Sequence, residues 1–521
     1  MHRRRFMQLA SVFWSGVGAA WTPSATAGSR ERELRIGLSS KPGPFDFAVA
    51  AAPEQTVVVL PAYQNLIRRV TPPGGADEFQ PEIARSWEMA PNGRSWLFNL
   101  AGGHRFDDGA AVDANAVRYS LERLARLGRG PASLYLEHVQ GLEVVGPMQI
   151  RVLLKAPTPL LPTILADRAA AIVNPSVASH AIRNDDGTSW LATRSAGSGP
   201  FRLMPASGTG TYILERNPYW SGPPQAFERL VFRVIADVTV REMSLRNGDV
   251  DVAFMMPPAA MERLKGVAGI RTISAPVLAF QNLAFNLERP IFSDLRLRQA
   301  IALAVDYDGI VRHLKGGHAT PFAGPLPPGM IGSDPASFPR RYDPTAAVRL
   351  ARAAGVRPGT RIGLIYPGVS PETDTLAQYL QAALAPLGLQ VRIERLSVPA
   401  YLDRMERGSY DAVLMGFVAQ FNDPAAIAGH WFNPSMVGLS NPARYRNPVV
   451  ADLLARSSAT TDIPTRAALL RRAVAVGNAD LPYIYLFQVH LAVGYRSDLD
   501  GYVFDPIEAL RLPLASLRRR T

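Results

Sequence analysis

The chain has 521 residues, 47% hydrophobic and 19% charged, with no cysteine and a net charge of +12 at pH 7. This is a globular composition with material for about three folding units at roughly 150 residues each, and it excludes disulfides, thiolate catalysis and zinc–sulfur sites. Part of the positive charge sits in Arg3-Arg4-Arg5 and Arg518-Arg519-Arg520, and the other arginines are scattered among Asp and Glu, so no basic face for nucleic acid is expected.

The first element in chain order is an export address. Arg3-Arg4-Arg5-Phe6-Met7 is basic, residues 9–21 are mostly apolar, and Ala25-Thr26-Ala27 places small residues before a cleavage point. Those are the three parts of a secretory signal. The paired arginines followed by Phe and Met are similar to the twin-arginine consensus. The run is too short, and too interrupted by Gly16 and Gly18, to hold a membrane, so residues 1–27 read as a signal peptide. No later window reaches about 18 consecutive apolar residues. A soluble periplasmic chain is expected, free of the membrane because it lacks a lipid-attachment cysteine.

Residues 80–155 suggest a small α+β lobe. Trp96-Leu97-Phe98-Asn99-Leu100 reads as a strand, Asp113 can cap a helix running through Val117, Leu121 and Leu124, and residues 141–154 form a hairpin-like pair turning at Gly146-Pro147. Residues 295–314 keep a helical register through Leu297, Ala300, Ile301, Ala304 and Val305, with Ser293 or Asp294 as cap and Gly316-Gly317 as the stop. From Arg361 the pattern is β-α-β-α-β: strand 361–366, helix 372–387, strand 389–393, helix 401–407 and strand 411–415, with Gly388 and Gly408 between them. Such alternation predicts a parallel sheet with helices on its faces. Proline- and glycine-rich stretches at 71–75, 221–224 and 321–328 are candidate junctions.

Motifs for chemistry are scarce. Ala196-Gly197-Ser198-Gly199 lacks the glycine two residues before the serine of a nucleophile elbow, and Pro200 follows, so it reads as a tight loop. Gly16-Val17-Gly18 lacks the third glycine of a dinucleotide fingerprint, and no phosphate-cradling lysine loop is present. The histidines include no helical zinc pair with a catalytic glutamate, so neither a metal site nor a cofactor is expected.

Eight short segments fall in the order seen in the family 5 solute-binding proteins of ABC importers, the group of periplasmic dipeptide-, oligopeptide- and nickel-binding proteins. They are Pro81-Glu82-Ile83-Ala84-Arg85-Ser86-Trp87, Asn92-Gly93 to Leu100, Phe106-Asp107-Asp108-Gly109, Val117-Arg118-Tyr119-Ser120-Leu121-Glu122-Arg123, Gly197-Ser198-Gly199-Pro200-Phe201, Arg216-Asn217-Pro218-Tyr219-Trp220, Leu245-Arg246-Asn247-Gly248-Asp249-Val250-Asp251, and Arg298 to Asp306. The chain resembles that family over nearly its whole mature length. The resemblance implies a periplasmic-binding-protein type II-like α/β fold: two large lobes around a hinged cleft, plus an extra small α+β lobe. Lobe I would comprise 28–70, 186–287 and 482–521, lobe II 71–185, and lobe III 288–481. It further implies a non-enzymatic receptor, expected as a monomer, that captures a peptide-like or other small polar solute and docks on an inner-membrane ABC permease.

Ligands of parallel α/β sheets lie beyond the carboxyl ends of the strands, which points to Gly416-Phe417-Val418-Ala419-Gln420-Phe421-Asn422-Asp423-Pro424. In peptide-binding relatives the corresponding loop resembles "A-D-Y-x-D/E-P", and its first aspartate pairs with the peptide's α-ammonium group; here that position is Gln420. An amide cannot compensate an ammonium as a carboxylate does, so free peptides are disfavoured unless Asp423 or another acid takes over. Phe417, Phe421 and Trp431 are candidate apolar walls, and Tyr135 a candidate contact from the small lobe. The alternatives are an exported hydrolase of a polar substrate, and a nickel-chelate or haem receptor for which His430 is the one supporting residue.

Overall fold

A computed structural model describes residues 31–49, 53–70, 77–128, 132–205, 208, 210–338, 340–419, 422–438, 440–505 and 511–520. The proposed signal, residues 1–27, lies outside the described residues, as do Gln420 and Phe421.

Two strands dominate the architecture, Ile270–Phe285 and Tyr483–Arg496, which pair antiparallel. At about 3.3 Å per residue, each is longer than one core needs, so a single strand serves two lobes. At one end Ile270–Phe285 carries Ala412–Val418, which continues into the parallel strands Thr360–Pro367 and Leu389–Leu396. At the other end Tyr483–Arg496 carries Val252–Ala253, followed by Glu33–Leu38 and Arg229–Val234. The result is one 11-stranded sheet through both large lobes. Between them the register shifts: Pro276 faces His490 while Phe280 faces Gln488. Proline has no N–H to give the ladder, and a bulge at this point bends the strand.

Three main cores follow. Leu34 to Leu60, Val173 to Phe254 and Val493 to Leu517 contribute to the first, Leu66 to Ile172 to the second, and Leu278 to Phe487 to the third. The divisions therefore differ from the expected lobe limits by several residues. Ile67 already packs in the second core, Val177 has returned to the first, and Leu278 to Phe285 lie in the third because the crossing strand enters it early.

The β-α-β-α-β segment has the anticipated layout. Helix Pro371–Leu384 starts where Ser370 accepts from Thr373 N, buries Leu376, Leu380 and Leu384, and after a turn of 3-10 helix stops at Gly388, with φ +87°. In the small lobe, strand Ser95–Leu100 and hairpin strands Val139–Gly146 and Gln149–Leu154 form a sheet against helix Ala114–Leu127, capped by Asp113. The helix expected over 295–314 is interrupted once: it runs over Leu295–Ala304, breaks at 305–306, and resumes as Tyr307–Gly309 and a π-helical turn Ile310–Leu314. Val305 is extended, and Asp306 then caps a new turn by accepting from Gly309 N.

The recurring motifs are explained by long-range bonds. Ser120 Oγ donates to Val173 O, and Arg123 forms a buried ion pair with Asp46, tying the small lobe to the first. Asn217 Nδ2 donates to Gly199 O at 2.9 Å. Gly197 passes so close to residues 60–63 that a Cβ there would lie 2.0 Å from Ala62 O. Gly197→Ala should therefore lower stability by about 3 kcal/mol, read as a fall in urea midpoint. Gly43→Ala, where an added Cβ meets nothing within 4 Å, should leave the midpoint unchanged.

Candidate functional site

Strand Ala412–Val418 delivers the chain to the expected ligand segment, and Ala419 N then donates to Leu278 O at 2.8 Å, anchoring the strand end to the crossing strand. Asn422 is half-buried. Asp423 opens helix Pro424–Phe432 as its N-cap, with proline at the first helical position, where a missing N–H costs nothing. Its Oδ1 accepts from Ala425 N and Ala426 N, both at 2.9 Å, and its Oδ2 accepts from Arg466 Nη2 at 2.5 Å. Both side chains are buried. The carboxylate is thus engaged on both oxygens, and Asp423 is not a free acid facing a solute.

The helix lies on the sheet face carrying Phe280, Asn282, Tyr483, Tyr485, Met415 and Phe417, which are paired positions on three adjacent strands. Trp431 is fully buried there, 5.0 Å from the Tyr483 ring and 6.0 Å from Tyr485. It belongs to the third core, which corrects its assignment as a cleft wall: a helix packed on a sheet must bury its apolar stripe. Phe417 is half-buried and stacks on the His430 ring at 3.7 Å. Burial holds that imidazole at a pKa of about 3, so it is neutral at pH 7. Beneath these rings Trp431 Nε1, Tyr485 OH and both polar atoms of Asn282 make no hydrogen bond with protein groups. Such atoms are normally met by ordered water.

From the small lobe, helix Ser133–His138 contributes Tyr135, which is buried and whose phenol burial pushes well above its ordinary pKa. Burial lowers the pKa of His138 on the same helix, opposed by Glu137 and by Asp423 of the third lobe. Second and third lobes also meet directly, where Asn422 Nδ2 donates to Asp77 Oδ1 at 2.7 Å. Asp77 in turn lies 3.8 Å from Arg69, with both side chains buried. A cavity of about 530 Å³ lined by Pro321, Leu326, Phe338 and Arg340 shares no residue with this segment.

The structure thus joins Phe417, Asp423, Trp431 and His430 in one unit, with Tyr135 on the facing lobe. Sequence reading missed Arg466, Asp77 and Asn282, and it placed Asn422 in the expected segment without a role of its own. For Asn282 the available signal was the polar pair Gln281-Asn282 between the apolar runs Val277 to Phe280 and Leu283 to Phe285; Arg466 and Asp77 meet their partners over long sequence separations.

The family model described as "Bacterial extracellular solute-binding proteins, family 5 Middle" matches residues 78–438. The protein named "Probable D,D-dipeptide-binding periplasmic protein DdpA" of Escherichia coli K12 is 30% identical over 490 residues, covering 93% of this chain and 94% of that protein. The chain belongs to the family 5 solute-binding proteins. Two solved structures show the same fold in full. NikA from Brucella suis, in complex with Fe(III)-EDTA, has a TM-score of 0.84 at 22% identity, covering 94% of this chain and all of that one. The periplasmic binding protein DppA from Helicobacter pylori, in complex with the peptide STSA, has a TM-score of 0.80 at 23% identity, covering 94% and 98%.

As a family 5 protein the chain is a type II binding-protein fold of two large lobes and a small third, made to hold a solute. Among the described residues no three His, Asp or Glu side chains gather as a metal site, and no helix is long and apolar enough to cross a membrane.

Proposed function

We propose that this family 5 protein is the periplasmic receptor of an ABC importer, exported through its twin-arginine-like signal and active as a monomer. It captures a dipeptide-like or other small polar solute where segment 417–423 faces the small lobe, and presents the closed form to an inner-membrane permease. The observation that carries this reading is likeness over 93% of the chain to a protein named for D,D-dipeptide binding. Binding free energy would come from surface and polar groups buried only when the lobes close about the two crossing strands.

The amino end of the ligand is where this chain departs from peptide binders. Gln420 offers an amide in place of a carboxylate, and Asp423 is engaged with Arg466 and the helix end. Loss of a buried counter-charge costs about 3–5 kcal/mol, or two to three orders of magnitude in affinity. The favoured solute is therefore N-blocked, neutral or anionic.

Thermal-shift assays of the mature protein should test D-alanyl-D-alanine, its N-acetyl derivative, opines, glycosides and metal chelates. An amino-blocked or neutral compound is expected to raise Tm at concentrations where the free dipeptide, bound about 100-fold more weakly, does not. Gln420→Asp should narrow that gap. Tighter binding of the free dipeptide would overturn the amino-end reading. No stabilisation by any class, with unchanged small-angle scattering, would overturn the receptor reading.

A further inference from the structure

The Asn422–Asp77 contact joins residues on different lobes. On the third lobe, Asn422 immediately precedes Asp423, whose carboxylate is fixed by two backbone N–H groups and by Arg466. On the small lobe, Asp77 leads into strand Glu78–Pro81, which pairs with the Ile67–Val70 strand carrying Arg69, and the Arg69 guanidinium lies 3.8 Å from the Asp77 carboxylate. The two residues are 345 positions apart. A 2.7 Å bond between residues tied in this way to their own lobes is made or lost as the lobes move relative to one another. It also uses a residue of the segment proposed to face the solute, so the contact forms at the mouth of the site.

We infer that Asn422 and Asp77 form an interlobe latch: an amide-to-carboxylate hydrogen bond present only in the closed arrangement, which sets the closed fraction and the residence time of the solute. Both are positioning residues in this role, acting through the lobes. The inference rests on the receptor reading for its effect on residence time, but the latch has a consequence that needs no ligand. Asn422→Asp would place a second carboxylate against Asp77 and force the lobes apart. Adding Asp77→Asn to that variant restores an amide–carboxylate pair in reversed order.

The absence of cysteine allows a clean distance measurement. Val145 on the small lobe and Val369 on the third are both exposed, and cysteines placed at these two positions accept spin labels. Pulsed electron-spin distance distributions would be recorded at pH 7.5 for the solute-free protein and with 10-fold steps of N-acetyl-D-alanyl-D-alanine. The unaltered latch should show a short-distance population. Asn422→Ala should lower the closed-to-open ratio about tenfold, Asn422→Asp should remove the short distance, and Asn422→Asp with Asp77→Asn should regain it.

The inference is overturned if folded Asn422→Asp, checked by circular dichroism, keeps the parent distribution. It is equally overturned if the swapped pair stays open, or if the parent never shows the short distance. A latch that responds as stated while no solute of the tested classes binds would leave the latch standing and count against the receptor reading alone. A solute that binds with a dissociation rate unaltered by Asn422→Ala would overturn the latch alone.

Discussion

Arg466→Ala is expected to destabilise the protein by about 3–5 kcal/mol, since it strips the counter-ion from a carboxylate that has no access to water. Asp423 is 4% exposed, and the Arg466 guanidinium, besides reaching Asp423, donates from Nε to Ser457 O at 3.1 Å. The loss should appear as a lower urea midpoint with an unchanged slope, and in a weaker site, because the Asp423 cap holds the helix that follows the proposed ligand segment. Asp423→Asn keeps an oxygen for the backbone N–H groups of Ala425 and Ala426 and removes the charge. Combined with Arg466→Met, it should recover much of the stability, as removal of both members of a buried pair often does. A midpoint for Arg466→Ala within 0.5 kcal/mol of the parent would show that water reaches Asp423 and that the pair is not buried in solution.

The second large effect is a contribution of His430 to the loss of stability in acid. His430 is neutral in the folded protein because burial holds its pKa at about 3, whereas in the unfolded chain it titrates near 6.5. The folded value is depressed for a group whose charged form is the protonated one. Below pH 6.5 the unfolded chain therefore binds a proton that the native state does not, and stability falls as pH drops from about 6.5 towards 3. At 1.36 kcal/mol per unit, the loss reaches about 2–3 kcal/mol by pH 4.5 and about 4–5 kcal/mol at its limit. His430→Phe keeps a flat ring against Phe417 and cannot take the proton. The difference in urea stability between parent and variant should grow by those amounts between pH 7 and pH 4.5. Other carboxylates and histidines titrate in both proteins and cancel. A difference independent of pH would mean that the imidazole is solvated in solution.

Much of the local structure was readable because it rests on short-range physics. Short apolar runs marked Ser95–Leu100 and Thr360–Pro367 as strands, alternation marked Leu389–Leu396, an apolar stripe marked Pro371–Leu384 as a helix, and Asp113 and Gly388 announced helix ends through their capping chemistry and backbone freedom. The break at 305–306 in the helix expected over 295–314 was missed for a reason of the same kind. Asp306 competes for the chain as a second cap, and periodicity alone does not weigh that local hydrogen bond against continuation.

The sequence by itself determined the β-α-β-α-β run from Arg361, most elements of the small lobe, the order of the family's motifs, and the presence of Gln420 in the proposed ligand loop. Tertiary structure alone decided that Trp431 is core and not cleft, that Asp423 belongs to Arg466, that Asn422 reaches Asp77, and that two long strands serve two lobes at once. The reason is physical. A residue pattern specifies which face of an element is apolar and which side chains carry charge, but what covers that face, and which opposite charge arrives beside it, depends on chain segments tens to hundreds of residues away.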